Sequence, residues 1–133
     1  MSVPRVKIHN PKTMAVPSGY SHVAEVHGGK LVFIAGQVAM DANGGVVGQD
    51  DYQRQAEQVF ENLGAALESA GARFYDLVRL TYYILDVTHL PEVREVRDRF
   101  INTQHPPTST AVQVSRLFRP EFLLEVDAVA SVD

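Results

Sequence analysis

The chain has 133 residues, the length of one ordinary domain, and 45% of them are hydrophobic, which is a globular composition. Its formal net charge of −4 argues against a general nucleic-acid-binding protein, which would carry an excess of basic residues. The absence of cysteine excludes disulfides, zinc–thiolate sites and cysteine nucleophiles.

The first fifty residues predict short strands separated by turns. Proline and glycine make residues 1–20 mostly irregular. Strands are predicted at residues 5–9, 21–26, 30–35 and 46–47. Gly28 and Gly29 separate the second strand from the third, and this spacing predicts a tight hairpin.

A long amphipathic helix is predicted over residues 50–70. Its apolar residues recur in steps of three and four: Ala56, Val59, Phe60, Leu63, Ala66, Leu67 and Ala70. Asp50 or Asp51 is the expected N-cap and Gly71 the expected C-cap. We expect the opposite face to lie in water; it carries Gln55, Gln58, Glu61 and Glu68.

The second half of the chain predicts a strand at 76–86, a helix at 90–103 and strands at 108–114 and 122–132. Thr88 is the expected cap of the helix. The two helices should pack on one face of a mixed sheet, which makes the fold class α+β. Residues 1–133 are expected to form one domain.

The last strand has one apolar face and one mixed face. Leu124, Val126 and Ala128 alternate with Leu123, Glu125 and Asp127. Carboxylates on a sheet face require water or partners. The second face therefore predicts a homo-oligomer in which subunits cover one another.

Signals for metals, nucleotides and membranes are missing from the sequence. The five histidines lack metal-binding spacing, and no P-loop or G-x-S-x-G motif occurs. We therefore expect no metal and no cofactor. No apolar run approaches the ~20 residues that span a bilayer, and residues 1–10 lack a signal-peptide core. We expect a cytoplasmic protein with no membrane partner.

Several segments, in order along residues 15–131, resemble the YjgF/RidA family. They are the strand end Ala35-Gly36-Gln37, the helix with Gln55 and Asn62, and the ending Leu124-Glu125-Val126-Asp127-Ala128. The resemblance implies a chorismate-mutase-like fold and a homotrimer whose sheets form a central barrel. It also implies clefts between subunits that hydrolyse reactive enamines or imines to 2-oxo acids and ammonia without a cofactor.

The resemblance assigns site residues one by one. Glu125 matches the glutamate that positions water, and its alternative is a structural carboxylate in the barrel. Tyr20 matches a tyrosine of the family's pocket. Alternatively, it is a loop aromatic that packs at an interface. Gly36 matches the glycine of the strand end, and Ala35 stands where a serine is common.

The main departure concerns the arginine that binds the substrate carboxylate. Ser109 occupies its place in Pro107-Thr108-Ser109-Thr110, and a hydroxyl cannot replace a guanidinium fork. Arg94 of the second helix is the first candidate to replace it, and Arg116 a weaker one. Alternatively, Arg94, Arg97 and Arg99 form only a solvated helix face.

Three functions therefore stay open. The first is an enamine/imine deaminase with Glu125 as the catalytic residue and Tyr20, Ala35, Gly36, Arg94 and Ser109 as substrate-binding residues. The second is a trimer that binds a small carboxylate or amide without turnover. The third is a deaminase for a larger substrate such as an aminomuconate.

Overall fold

The computed structural model describes residues 4–133. Residues 1–3, which belong to the N-terminal segment predicted to be mostly irregular, lie outside the described part. The strands and helices are β1 (Val6–His9), β2 (Val23–Val26), β3 (Lys30–Gln37), α1 (Tyr52–Ser69), β4 (Leu77–Ile84), α2 (Leu90–Arg97), β5 (Thr108–Gln113) and β6 (Leu124–Val132). This order of strands and helices is the predicted one, and the α+β class is confirmed.

The main sheet has the strand order β3-β6-β4-β5. Strand β6 is antiparallel to both of its neighbours, whereas β5 is parallel to β4 because α2 carries the chain back across the sheet. The sheet is therefore mixed, as predicted. Its inner face packs against α1 and α2 in one core that includes Phe60, Leu63, Leu80, Val93 and Leu124.

The predicted hairpin between β2 and β3 is wrong. Strand β2 pairs with β1, whereas β3 pairs with β6. Gly28 and Gly29 have φ of +86° and +87°. A Cβ on Gly29 would lie 2.7 Å from Cδ of Arg5 and 2.5 Å from the Val132 carbonyl oxygen. These glycines let the chain pass from the small β1–β2 sheet to the main sheet. The predicted strand at 46–47 is reduced to an isolated bridge.

Helix α1 has the predicted N-cap Asp51, but its C-cap is Ala70 and not Gly71. The predicted wet face is confirmed for Glu61 and Glu68, which are exposed, and is wrong for Gln55. Asp51 accepts a hydrogen bond from the Arg54 N–H at 3.0 Å, and Gly71 follows the helix with φ of +72°. Gln55, however, is fully buried. Its amide donates to the Glu121 carbonyl at 2.8 Å and accepts from the Leu123 N–H at 2.9 Å. These backbone partners, with the Gly48 carbonyl, make burial of the amide possible.

Helix α2 ends at Arg97, before the predicted residue 103, and continues as turns in which the Ile101 N–H donates to the Arg97 carbonyl at 3.1 Å. Thr88 is not its cap, because it lies in the preceding 3₁₀ turn and donates its N–H to Asp86. No helix within residues 4–133 combines the length and apolar character needed to cross a membrane.

Candidate functional site

Glu125 lies on the outer face of the main sheet, the face turned away from the helices. It is half-buried and pairs with Tyr83 of β4. Partial burial and then the nearby charge of Asp127 raise the pKa of Glu125. Tyr83 donates its hydroxyl to Asp127 Oδ2 at 3.2 Å, which raises the pKa of Tyr83. A carboxyl with a raised pKa exchanges protons closer to neutral pH, as general acid–base groups do.

Gly36 lies directly against Glu125. The register between β3 and β6 shifts between Ile34 and Gln37, so Ala35 and Gly36 form an irregularity in the strand. A Cβ on Gly36 would lie 2.6 Å from Glu125 Cδ and would overlap the carboxylate. The structure thus brings Gly36 and Glu125 together. Ala35 is exposed beside them, and its carbonyl accepts from the Gln37 amide at 3.1 Å.

A second group of predicted residues meets on the helix side of the sheet. Ser109 pairs with Leu80, whose side chain is buried in the core, so Ser109 faces the helices. Tyr20 and Arg94 line the same small cavity, which we call the α2 cavity. The α2 cavity is lined by Ser18, Tyr20, Tyr82, Leu90, Arg94, Arg97, Ser109 and Ala111.

The three arginines of the α2 region differ in their partners. Arg99 donates to Glu57 at 2.8 Å, and Arg97 contacts Asp98 at 2.9 Å. Arg94 is exposed and takes part in none of the ion pairs found among residues 4–133. Arg116 lines neither the α2 cavity nor the adjoining cleft. The solvated-face alternative therefore fits Arg99, but it does not describe Arg97.

Arg97 is buried, with 6% of its surface exposed. It lies on the apolar stripe of α2, four residues after Val93 and seven after Leu90, so helical spacing could have indicated its burial. The loop before β2 crosses the guanidinium at Gly19, where a Cβ would lie 2.8 Å from Nη2. A cleft of about 370 Å³ adjoins this point. We call it the adjoining cleft; it is lined by Ser18, Gly19, Arg94, Arg97, Asp98, Ile101, Thr103 and Pro106.

Tyr82 was not among the site residues predicted from the sequence. Its side chain is buried beneath the α2 cavity, and its hydroxyl has no hydrogen-bond partner within 3.5 Å among residues 4–133. Burial raises the pKa of Tyr82, and the nearby guanidinium of Arg97 opposes this rise. The hydroxyl therefore stays protonated and can donate. Its burial could have been predicted, because Tyr82 lies two residues after the apolar Leu80 and the side chains of residues i and i+2 of a strand point to the same face.

The predicted residues thus form two groups on opposite faces of one sheet. Ala35, Gly36 and Glu125 belong to the outer-face group, and Tyr20, Arg94 and Ser109 to the α2 cavity. A single chain does not bring these groups into one site. Among residues 4–133, no cluster of three or more histidine, aspartate or glutamate side chains is arranged to hold a metal ion.

Comparison with known proteins gives matches over nearly the whole chain. The family model described as Endoribonuclease L-PSP matches residues 10–132. Protein DfrA of Myxococcus xanthus is 36% identical over 95% of both chains. The 2-iminobutanoate/2-iminopropanoate deaminase of Salmonella typhimurium is 31% identical over 82% of this chain and 85% of that protein.

Solved structures give the same result. A crystal structure of YyfB, a conserved Rid-family protein of unknown function from Yersinia pestis, superposes with a TM-score of 0.81. The two sequences are 34% identical, and the match covers 96% of this chain and 99% of that one.

Proposed function

The chain belongs to the YjgF/RidA family, and on this premise we propose that it hydrolyses a reactive enamine or imine acid to a 2-oxo acid and ammonia. Membership supports deamination of reactive intermediates only broadly. The specific reaction is our proposal, with a homotrimer as the working assembly and no resident cofactor. The observation that carries it is the raised pKa of the Glu125 carboxyl beside the side-chain-free position of Gly36.

An assembly of subunits would join the two groups of residues. Glu125 and Ser109 point to opposite faces of one sheet, so a site that contains both requires two chains. The outer face also exposes apolar side chains, with Leu31 50% and Phe33 74% exposed. Covering such a patch favours association. A homotrimer would place the outer face of one subunit against the α2 cavity of the next.

The chemistry of hydrolysis assigns Glu125 the relay of two protons from water to nitrogen. The enamine first tautomerises to the imine. Glu125 accepts the first proton as the oxygen of water bonds to the imine carbon, and it passes this proton to nitrogen, which gives a carbinolamine. As the carbon–nitrogen bond breaks, Glu125 accepts the proton of the carbinolamine hydroxyl and passes it to the departing nitrogen. Ammonia leaves and the carbonyl of the 2-oxo acid remains. The raised pKa of Glu125 suits both directions of transfer.

The carboxylate of the substrate would be held by Arg94. Ser109 and Tyr20 line the same cavity, and Arg94 has no competing ion pair within residues 4–133. A guanidinium on α2 would then bind the substrate carboxylate, which the hydroxyl of a serine on β5 cannot bind as a guanidinium fork does. Such a pocket also fits a larger acid, and an aminomuconate stays a candidate of that class.

The test is turnover of 2-aminoacrylate generated in situ by a lyase, followed by loss of its absorbance above the spontaneous rate. We expect the wild type to accelerate the loss and Glu125→Gln to abolish the acceleration. Glu68→Gln, on the exposed side of α1, is the matched control and should keep full activity. Unchanged activity of Glu125→Gln would disprove the assignment.

The second candidate is a trimer that binds a small carboxylate or amide without turnover. Ser109 favours it, because the expected carboxylate-binding arginine is missing from β5. It predicts acid binding in both the wild type and Glu125→Gln, with no acceleration by either protein.

A further inference from the structure

A large cavity opens at the C-terminal end of β3, and Gly36 forms part of its wall. We call it the β3 cavity. It measures about 470 Å³, within the roughly 300–1,000 Å³ that is usual for small-molecule sites. Because Gly36 also lies against the Glu125 carboxylate, a molecule that reacts at Glu125 can extend past this glycine into the β3 cavity. 2-Aminoacrylate carries only a methylene carbon and would leave this space empty.

The wall of the β3 cavity is largely apolar and is tied to the core. Val38, Met40 and Phe118 supply apolar surface. Asn62 of α1 donates its amide to the carbonyl oxygens of Val38 and Met40 at 3.1 and 3.0 Å, which fixes the segment after β3 to the helix. The thioether side chain of a methionine adapts to the shape of a bound apolar group. A ligand would therefore meet a preformed apolar surface.

Phe118 gives the β3 cavity an aromatic wall on the connection between β5 and β6. Its ring packs against the ring of Phe122, with the two centroids 5.1 Å apart, and Phe122 is fully buried. Phe118 itself is 67% exposed. The ring is therefore anchored on one side and open on the other. A second aromatic ring is the partner that suits such a surface, because it adds an offset or edge-to-face contact to the burial of apolar area.

The charge of the β3 cavity disfavours one class of ligand. Among residues 4–133 that line it, Asp41 is the one that carries a charge, and no lysine or arginine is present. Oδ1 of Asp41 accepts from the N–H groups of Asn43 and Gly45, both at 2.9 Å, so the carboxylate is held at the wall. A second carboxylate on the ligand would be repelled by Asp41 and would find no cation to offset the repulsion.

We propose that the β3 cavity binds the side chain of the substrate and that Phe118 selects imino acids whose side chain is aromatic. The inference rests on the proposed function, because it assigns the reacting carbon to Glu125 and the side chain to the space beyond Gly36. It places the imino acid formed from phenylalanine ahead of an aminomuconate, whose second carboxylate would meet Asp41.

Binding of 2-oxo acids, the product class, tests the β3 cavity without turnover. The probes are phenylpyruvate, 2-oxobutanoate and 2-oxoglutarate, each titrated into the full chain by calorimetry. We expect phenylpyruvate to bind most tightly and 2-oxoglutarate most weakly. Phe118→Ala should weaken phenylpyruvate binding about tenfold, the value of a strong aromatic contact, and should leave the affinity for 2-oxobutanoate unchanged.

Two further variants separate selection by the ring from a general disturbance of the loop. Phe118→Tyr keeps an aromatic ring and should keep the preference for phenylpyruvate. Tyr75→Ala is the matched control at an exposed aromatic outside the β3 cavity, and it should bind all three acids like the wild type. Equal affinities of the wild type for phenylpyruvate and 2-oxobutanoate, an equal loss of both in Phe118→Ala, or no binding of phenylpyruvate would each overturn the proposal.

Failure of this proposal and failure of the proposed function give different results. Phe118-dependent binding of phenylpyruvate, with no acceleration of imine hydrolysis for small or aromatic substrates, would retain the β3 cavity and disprove the deaminase. Glu125-dependent turnover that does not distinguish the imines of phenylalanine and 2-aminobutanoate would retain the deaminase and disprove selection by Phe118.

Discussion

The carboxylate of Glu125 occupies the space in which any side chain at Gly36 would begin. The glycine therefore determines where the carboxylate of the neighbouring strand can lie. Because the register between β3 and β6 shifts at this same point, the position of Glu125 depends on the irregular end of β3.

Gly36→Ala should displace the Glu125 carboxylate and reduce turnover as severely as Glu125→Gln. The added methyl should cost about 1–3 kcal/mol of unfolding free energy, as overpacking does. Urea unfolding of the single variants and of Gly36→Ala/Glu125→Ala measures the coupling. The cost of alanine at residue 36 should shrink once Glu125 is truncated, and equal costs in both backgrounds would contradict the clash.

Ionisation of Glu125 should make the fold less stable as pH rises. Its pKa is raised in the folded state, so between the ordinary glutamate pKa and the raised value the folded chain binds more protons than the unfolded chain. Stability contributed by the protonated form is complete below that window and lost above it. Glu125→Gln should therefore gain stability relative to the wild type across the window. Denaturant unfolding at several pH values measures this difference, and a constant difference would contradict the shift.

Phe33→Glu should prevent assembly. Phe33 is 74% exposed on the outer face, and a carboxylate there would be buried without a partner in any interface that covers this face. Light scattering should report a trimer for the wild type and a monomer without deaminase activity for the variant. Tyr75→Glu, at a 65% exposed aromatic outside the main sheet, should remain trimeric. A monomeric wild type would disprove the intersubunit site.

Arg94→Ala should raise the KM for the imino acid by about 10- to 150-fold, the value of one hydrogen bond to a charged group. Arg99→Ala is the matched control on the same segment, because Arg99 is paired with Glu57 and lines neither cavity. Its KM should stay at the wild-type value. Steady-state kinetics of both variants decides between a binding arginine and a solvated helix face.

Gln55→Leu should lower the unfolding free energy by about 3 kcal/mol or more, because it leaves buried backbone partners of the amide unpaired. Gln58→Leu removes one hydrogen bond, to Asn62, and should cost about 1 kcal/mol. Urea unfolding of the two variants gives the comparison. Equal losses would mean that the Gln55 amide does not join the loops around α1.

Periodicity along the chain predicted most of the fold, because the helices and the last strand each bury one face of regular spacing. The pairing of strands was harder to predict. Gly28 and Gly29 are the residues of a tight hairpin, but the same positive φ values also allow a chain to change sheets. Only the competing pairings of β2 with β1 and of β3 with β6 decide between these outcomes.

Polar residues with buried partners were the least predictable part of the site. Gln55 was expected on a wet helix face, and a solvated face was the alternative offered for Arg97, although Arg97 shares its spacing with Leu90 and Val93. Their burial depends on groups distant in sequence, such as the carbonyl of Glu121 and the glycine at residue 19. The resemblance supplied Glu125 and Gly36, but it could not identify an unpaired hydroxyl at Tyr82.

The position of β6 in the sheet has a consequence during synthesis. Strand β6 lies between β3 and β4, yet residues 124–132 are made after both of them. Until they leave the ribosome, β3 and β4 lack the strand that joins them, and their edges stay open to other chains. The main sheet therefore forms late, through contacts between distant segments, which makes folding slow and the nascent chain prone to aggregation.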